Sequence, residues 1–219
     1  MSNYRIELQR LIDDALNDLE MAHKGGKVAN TPVSNNLYLV RWVTKSLKQQ
    51  EYARCVGNDL TRWQKQGRSK GNNSDLYSLF KRIDAYYKRF FPTDEVRPLK
   101  DSDIEKFLDQ ALAAGWDVST AEPIIGHGKI QFFSEGMNSL ALCADECDSC
   151  FDGGEDLVKP MHWFVRGHHA GFIEMAADAG FMVHKVTDYK SVVKYHGEYI
   201  VYPGNEGEQL AEIPLSFTA

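Results

Sequence analysis

Three thiols lie close together in the stretch Cys143-Ala144-Asp145-Glu146-Cys147-Asp148-Ser149-Cys150. Thiolates at this spacing are natural zinc ligands, and His162, His127 or His168 could supply the fourth position of a tetrahedral site. Cys143, Cys147, Cys150 and His162 form the candidate metal set. Two features oppose it. The acidic neighbours Asp145, Glu146, Asp148 and Asp152 disfavour thiolate formation, and only one ligand knuckle is visible where structural zinc sites usually show two. The plainer reading is a core thiol at Cys143, ending a strand, followed by an acidic loop with two incidental thiols. No cofactor is the leading expectation. Zinc, in a binding protein or a zinc-dependent enzyme, is the alternative.

A second constellation is basic. The stretch Thr61–Asn73 ends one helix and leads into the next, and within it Arg62 and Lys65 share a face at i,i+3. Arg68 and Lys70 are expected in a glycine-flexed loop just before a helix N-terminus, where backbone N–H groups and the helix dipole attract anions. Lys81, Arg82, Lys88 and Arg89 add charge on the following helix. Arg62, Lys65, Arg68 and Lys70 are therefore the candidate contacts to a nucleic acid or another polyanion. No helix carries a row of Asn, Gln and Arg suited to base edges, so readout of sequence is not expected. The alternative is a solvated helix face with a mobile loop.

The histidines cluster late, at His162, His168, His169, His184 and His196. His168-His169 at a helix start could act with Asp178 or Asp188 in acid–base chemistry. Adjacent helical residues, however, point roughly 100° apart and do not readily chelate one ion. His184, between Val183 and Lys185, is expected to face outward from a strand. No H-E-x-x-H, G-x-S-x-G or Cys–His signature is present. Gly126-His127-Gly128-Lys129 lacks the spacing of a phosphate loop and precedes a strand. A non-enzymatic regulatory or interaction protein is favoured over an enzyme.

These groups sit on a chain of 219 residues, 43% hydrophobic and 26% charged, enough to bury a core in one large or two small domains. No apolar run reaches the roughly 18 residues of a membrane span. The opening Met1-Ser2-Asn3-Tyr4-Arg5-Ile6-Glu7 lacks the basic and apolar blocks of a secretory signal. A cytoplasmic location without membrane contact is expected. Net charge is −6 but uneven: residues 1–98 hold 17 of the 25 Lys and Arg and only 11 of the 31 Asp and Glu. The basic half suits a nucleic acid or an acidic partner, and the acidic half a basic protein partner. Alternatively the halves attract each other, within or between chains.

The elements that must position them change character near residue 98. Tyr4, Leu8, Leu11, Ile12, Ala15 and Leu19 form one apolar stripe at helical spacing, ended by Gly25-Gly26. Ser34 or Asn35 can cap a second helix with Leu37, Val40, Val43 and Leu47 on its inner face. A third helix carries Tyr52, Val56, Leu60 and Trp63. A fourth starts near Ser74, shows Leu76, Leu79, Phe80, Ile83, Tyr87 and Phe90, and stops at Pro92. Phe91–Lys100 reads as a linker. Ser102 and Glu105 then fit the capping box of a helix running to about Ala114, with Gly115 in the left-handed position after it. A strand at Trp116–Ser119 and a hairpin of Lys129–Phe133 with Ser139–Cys143 follow. The order recurs as a helix over His169–Ala179, Gly180, a strand over Phe181–Val186, and a hairpin of Val192–Tyr195 with Glu198–Tyr202. The expected fold is α+β: a helical basic region over 1–98, then an acidic α+β region over 99–219 with a mainly antiparallel sheet and helices. Within it, 101–143 and 167–203 either duplicate an α-β-β-β unit or share a common helix-to-strand junction by coincidence.

Three stretches carry a family likeness: Leu39-Val40-Arg41-Trp42-Val43-Thr44-Lys45, Arg62–Gly71, and Val183-His184-Lys185-Val186-Thr187-Asp188-Tyr189-Lys190 with Lys194-Tyr195-His196-Gly197-Glu198-Tyr199. They resemble a gammaproteobacterial family known only as a domain of unknown function, and the likeness spans most of the chain. The resemblance implies a bacterial cytoplasmic protein and assigns no catalytic residue. The three cysteines are not a fixed part of its pattern, which weakens the metal set.

Overall fold

The computed structural model describes residues 3–93 and 95–219; Met1, Ser2 and Asp94 of the expected linker lie outside the described residues, as does the side chain of Asn72. The chain divides into two compact units. One comprises Met1–Pro92, Glu208–Leu210 and Phe217–Ala219, the other Thr93–Gly207 and Ala211–Ser216.

The first unit holds α1 (Tyr4–Lys24), α2 (Pro32–Gln49), α3 (Gly57–Lys70) and α4 (Leu76–Phe90), with 3₁₀ turns at Arg54–Val56 and Gly71–Ser74. The stripe on α1 is buried along its length, from Tyr4 to Leu19. α2 starts before the expected cap: Thr31 accepts from the Ser34 N–H, and Pro32 takes the first helical turn, where its missing N–H costs nothing. The inner face of α2 is also rotated. Asn36, Leu39, Trp42, Val43 and Ser46 are buried, whereas Leu37 is 41% exposed. Trp63 of α3 meets Phe80 of α4 edge-on at 4.8 Å.

A buried amide joins three of these helices. Asn36 accepts from the Ser74 hydroxyl and from the Leu76 N–H, both at 2.9 Å, and donates to the Gly71 carbonyl at 3.0 Å. It thus caps α4 from a different helix, while Asp75, in the left-handed region at φ 45°, makes no side-chain cap. Nearby, a Cβ at Gly67 of α3 would stand 2.7 Å from a Val40 methyl of α2, so glycine permits this close approach.

The second unit holds α5 (Asp101–Ala113), β1 (Asp117–Glu122), β2 (Ser139–Cys143), α6 (Ala144–Ser149), β3 (Met161–Arg166), α7 (His169–Asp178), β4 (Val183–Thr187) and β5 (Gly197–Val201). The five strands run in the order β1-β2-β3-β5-β4, with β1 parallel to β2 and the other pairs antiparallel. One face of the sheet, with Leu140, Leu142, Trp163, Val165 and Tyr199, packs with Ile104, Phe107 and Ala111 of α5 and Phe172 and Ala176 of α7. Trp163 stacks on Phe107 at 4.9 Å. The opposite face, with Ala141, Cys143 and Phe164, is covered by Ile124, Ile130, Phe132 and Val193 from loops.

The architecture is the α+β arrangement read from the sequence, helices first and a mostly antiparallel sheet after. Several details differ. Lys129–Phe133 makes no hairpin with β2. Its alternating apolar residues cover the second face of the sheet, and Ile130 bridges in parallel to Val193. Segment 123–138 thereby becomes the crossover that a parallel β1–β2 pair requires. Val192–Tyr195 also stays outside the sheet, and β5 pairs with β3 and β4. The central strand β3 went unread. Its run Trp163-Phe164-Val165 is buried on both faces, so it shows no alternation. The helix–glycine–strand junction does recur, with left-handed Gly115 (φ 83°) and Gly180 (φ 93°). Two strands follow each helix, paired in parallel after α5 (β1 with β2) and antiparallel after α7 (β4 with β5), so the two stretches share the junction and not the pairing of an α-β-β-β unit. At the start of α5 the Lys100 N–H donates to Asp103 at 3.2 Å, so Asp103 and not Glu105 closes the helix; the Lys100 backbone is held there by an isolated antiparallel β-bridge to the Asp156 backbone.

Replacing Asn36 by Ala strips partners from a hydroxyl, an N–H and a carbonyl in an enclosed place. The expected loss is about 2–4 kcal/mol, against ~1 kcal/mol for the exposed cap in Thr31→Ala. Chemical denaturation of the two variants side by side measures the difference.

Candidate polyanion interface

The structure redistributes the basic residues. α3 continues to Lys70, so Arg68 and Lys70 end a helix instead of preceding one. Their charges there complement the negative end of the α3 dipole. The α4 N-terminus, expected to attract an anion, is closed by Asn36. Arg62 is engaged with the fold: its Nη2 donates to Asp59 at 2.8 Å, and the buried Asp59 carboxylate also accepts from the Tyr4 hydroxyl at 2.6 Å. Burial raises the Asp59 pKa, partly countered by the Tyr4 bond and the Arg62 charge. Arg62 thus offsets a carboxylate that would otherwise be buried with one neutral partner.

Arg68 lines a groove of about 650 Å³ together with Val40, Arg41, Thr44, Lys45, Lys48 and Gln49 of α2. Arg41, Lys45 and Lys48 recur at i, i+4 and i+7, which places them on one ridge opposite the buried Leu39, Trp42, Val43 and Ser46. The tight Gly67–Val40 contact brings α3, and with it Arg68, beside that ridge. Among the described residues, no carboxylate forms a salt bridge with Arg41, Lys45, Lys48, Lys65, Arg68 or Lys70. Like charges at i,i+4 on a helix destabilise it by about 0.2–0.5 kcal/mol per pair, so the ridge carries an uncompensated cost that an anion in the groove would reverse. Of the four expected contacts, Arg68 lies in this groove. Lys65 and Lys70 are exposed outside its lining, and Arg62 is on Asp59. Arg41, Lys45 and Lys48 were missed, because assigning Val40 and Leu47 to the inner face of α2 hides the ridge. Helical spacing counted from Leu39 and Val43 would have shown it.

Cys143, Cys147, Cys150 and His162 are not brought together as ligands. Among the described residues, no group of three or more His, Cys, Asp or Glu side chains is arranged to hold a metal ion. Cys143 lies in the core on the loop-covered face, its sulfur accepting from the Ile125 N–H at 3.3 Å. Cys147 and Cys150 follow on α6 and at its end, and both pack into the core on the helix-covered face. Burial first, then nearby negative charge, pushes both of their thiols up to about 11.

His162 serves as a link between β3 and α6. Its Nδ1 lies 2.7 Å from Glu146 Oε1, its backbone N–H donates to Glu146 Oε2 at 2.8 Å, and its Nε2 is 3.8 Å from Glu198. The Glu146 bond raises its pKa against the opposing effect of burial, with the Glu146 and Glu198 charges adding to the rise. His184 does not face outward. It is 1% exposed, set edge-on to Tyr202, and a Cβ on Gly207 would overlap its ring. The chain after β5 covers that side of β4, which alternation alone cannot reveal. His169 Nδ1 lies 2.7 Å from the Tyr199 hydroxyl, and burial lowers its pKa.

These features define a two-unit α+β protein with a cationic groove on its helical unit. The sequence matches the model of a family described as a protein of unknown function, DUF2913, over residues 3–214, and the chain belongs to that family. No curated protein and no solved structure matches it. Among the described residues, no helix is long and apolar enough to cross a membrane.

Because the His162 pKa is raised on folding, its contribution to stability is complete below the unfolded value of about 6.5 and is lost as pH rises through the folded value. His162→Gln should therefore lower the melting temperature more at about pH 5.5 than at about pH 9. Thermal melts of both proteins at the two pH values check the sign.

Proposed function

We propose that this chain is a bacterial cytoplasmic protein that acts by binding, without catalysis, and that the α2–α3 groove takes up the phosphates of a nucleic acid or another polyanion. The observation that carries this reading is the convergence of Arg41, Lys45, Lys48 and Arg68 on one groove, with no carboxylate paired to them among the described residues. Each cation that meets a phosphate displaces a condensed counterion, and this release supplies most of the affinity of sequence-independent binding. A groove lined by cations, Thr44, Val40 and Gln49 suits phosphate and sugar better than base edges. The free cysteines fit a reducing compartment.

Fluorescence anisotropy with duplex DNA, single-stranded RNA and heparin tests the proposal. Binding should weaken with salt, with log K against log salt falling at a slope of about −3 to −4 on DNA for four phosphate contacts. The triple variant Arg41→Ala, Lys45→Ala, Arg68→Ala should lose at least about tenfold in affinity at low salt and flatten the slope by roughly 3. Arg62→Ala should leave the slope unchanged and lower thermal stability. Absence of binding at low salt, or a slope that the triple variant leaves intact, removes the proposal.

A further inference from the structure

The second unit holds a cleft of its own, about 480 Å³, lined by Phe132, Phe133, Arg166, Lys194, Tyr195 and His196 among others. It lies in the acidic half of the chain, where residues 99–219 hold 8 of the 25 Lys and Arg and 20 of the 31 Asp and Glu. Even so, its lining contains two cations and no carboxylate. Among the described residues, neither Arg166 nor Lys194 forms a salt bridge.

Arg166 is held by one end only. Its Nη2 donates to the Ser134 hydroxyl and, at 2.9 Å, to the Gly136 carbonyl, which pins the loop to the end of β3. Its enclosed Nε has no hydrogen-bond partner, a deficit that a buried donor rarely carries without a reason. Lys194 reaches Gln131 at 3.1 Å and keeps two further donors. His196 is a neutral wall. Its Nδ1 lies 2.8 Å from the Lys194 carbonyl, which can only accept, so Nδ1 carries the proton and Nε2 accepts from the Ser139 hydroxyl at 3.2 Å. Burial lowers its pKa, partly countered by the bond to the Lys194 carbonyl, and the nearby Arg166 charge adds to the fall, all of which favours the uncharged ring.

Aromatic rings complete the cleft. The Phe132 ring lies 5.3 Å from that of His196, while Phe133 is 89% and Tyr195 70% exposed. Two large rings held in water at one cleft form an unfilled apolar surface. Tyr195 also sits in the left-handed region at φ 65°, a conformation that costs a bulky residue energy and gathers at functional sites.

We propose that this cleft binds a nucleotide-sized anion carrying a planar ring, with Arg166 and Lys194 taking the phosphate and the Phe132, Phe133 and Tyr195 side chains the ring. Cations answer the phosphate and aromatic faces stack on the base. The volume falls within the roughly 300–1,000 Å³ of small-molecule sites. A free nucleoside monophosphate and the end of a single strand present the same chemistry. The cleft shares no lining residue with the α2–α3 groove and does not depend on it.

Isothermal titration of the full chain with AMP and UMP, and separately with adenosine and inorganic phosphate, tests this. A nucleotide should bind with Kd on the order of 10–100 µM, and adenosine and phosphate at least about tenfold more weakly. Arg166→Met would also free the pinned loop, so the decisive variants are exposed ones. Lys194→Met, Phe133→Ala and Tyr195→Gly should each weaken the nucleotide about fivefold or more, with no fall in melting temperature, and Tyr195→Gly should raise it because glycine accepts the left-handed backbone. The α2–α3 triple variant should leave nucleotide affinity unchanged, which separates failure of this site from failure of the groove. A short oligoadenylate that binds more tightly than AMP and loses the same factor in Tyr195→Gly identifies the strand end as the ligand; equal or weaker binding identifies the free nucleotide. No nucleotide binding at about 1 mM, phosphate binding as well as AMP, or indifference to all three variants overturns the proposal.

Discussion

The side-chain amide of Asn36 satisfies a hydroxyl, an N–H and a carbonyl in a place that is 2% exposed. Each group left unsatisfied there would cost about 1–3 kcal/mol, a large share of the roughly 5–15 kcal/mol by which a domain is stable. Asn36 must therefore point inward, and the rest of α2 follows. Leu39, Val43 and Ser46 come round to the same side, and Arg41, Lys45 and Lys48 are turned to solvent. A helix advances about 100° per residue, so a slip of one position would drive cations toward the core. The amide thus fixes the rotation of α2, and with it the ridge that lines the groove.

That constraint is much stronger than the repulsion it enforces. Like charges on an exposed helix cost a few tenths of a kcal/mol per pair, so the amide and the apolar contacts hold the ridge in place with margin to spare. The Gly67–Val40 contact acts in the same direction by setting α3 close to α2. The groove is therefore a rigid packing arrangement carrying a small electrostatic penalty on its surface. Local rules broken at the surface and supported from the core are typical of positions kept for contact. Arg62 shows the contrast. It is as basic as Arg68, yet its charge is spent on Asp59, and counting cations along the sequence cannot separate the two.

What could be read from the sequence follows from the range of the forces involved. The α1 stripe is legible because a single helix burying one face needs only local periodicity. Gly115 and Gly180 are legible because the left-handed region after a helix selects glycine. The inner face of α2 is not, because a polar residue, Asn36, occupies a core position through partners 35 to 40 residues away. The strand β3 is hidden because burial on both faces removes alternation. The Cys143–Cys150 spacing looks like a ligand set in one dimension, but the side chains go to cores on opposite faces of the sheet. Arg68 was identified, yet its partners across the groove depend on a helix-to-helix contact that no local pattern announces.

The cleft of the second unit comes from the same need to cover apolar surface. Two helices protect one face of the sheet, and loops must protect the other. A parallel β1–β2 pair requires a crossover, and segment 123–138 supplies it while laying Ile124, Ile130 and Phe132 over Cys143 and Phe164. The segment before β5 adds Val193, and the two coverings are tied by hydrogen bonds between Ile130 and Val192 and between Lys194 and Ile130, at 2.8 and 2.9 Å. Phe133 alternates with the inward Phe132 and so points away from the sheet, while Tyr195, two residues beyond the inward Val193, is brought out beside the cleft by its left-handed backbone. Arg166, at the end of β3, then anchors the crossover through Ser134 and Gly136 and brings its charge to the same place. The topology of the sheet accounts for a cleft and for its cation. Covering the core does not account for two large aromatic side chains left in water at its walls, and their exposure is the feature that a bound planar ring would relieve.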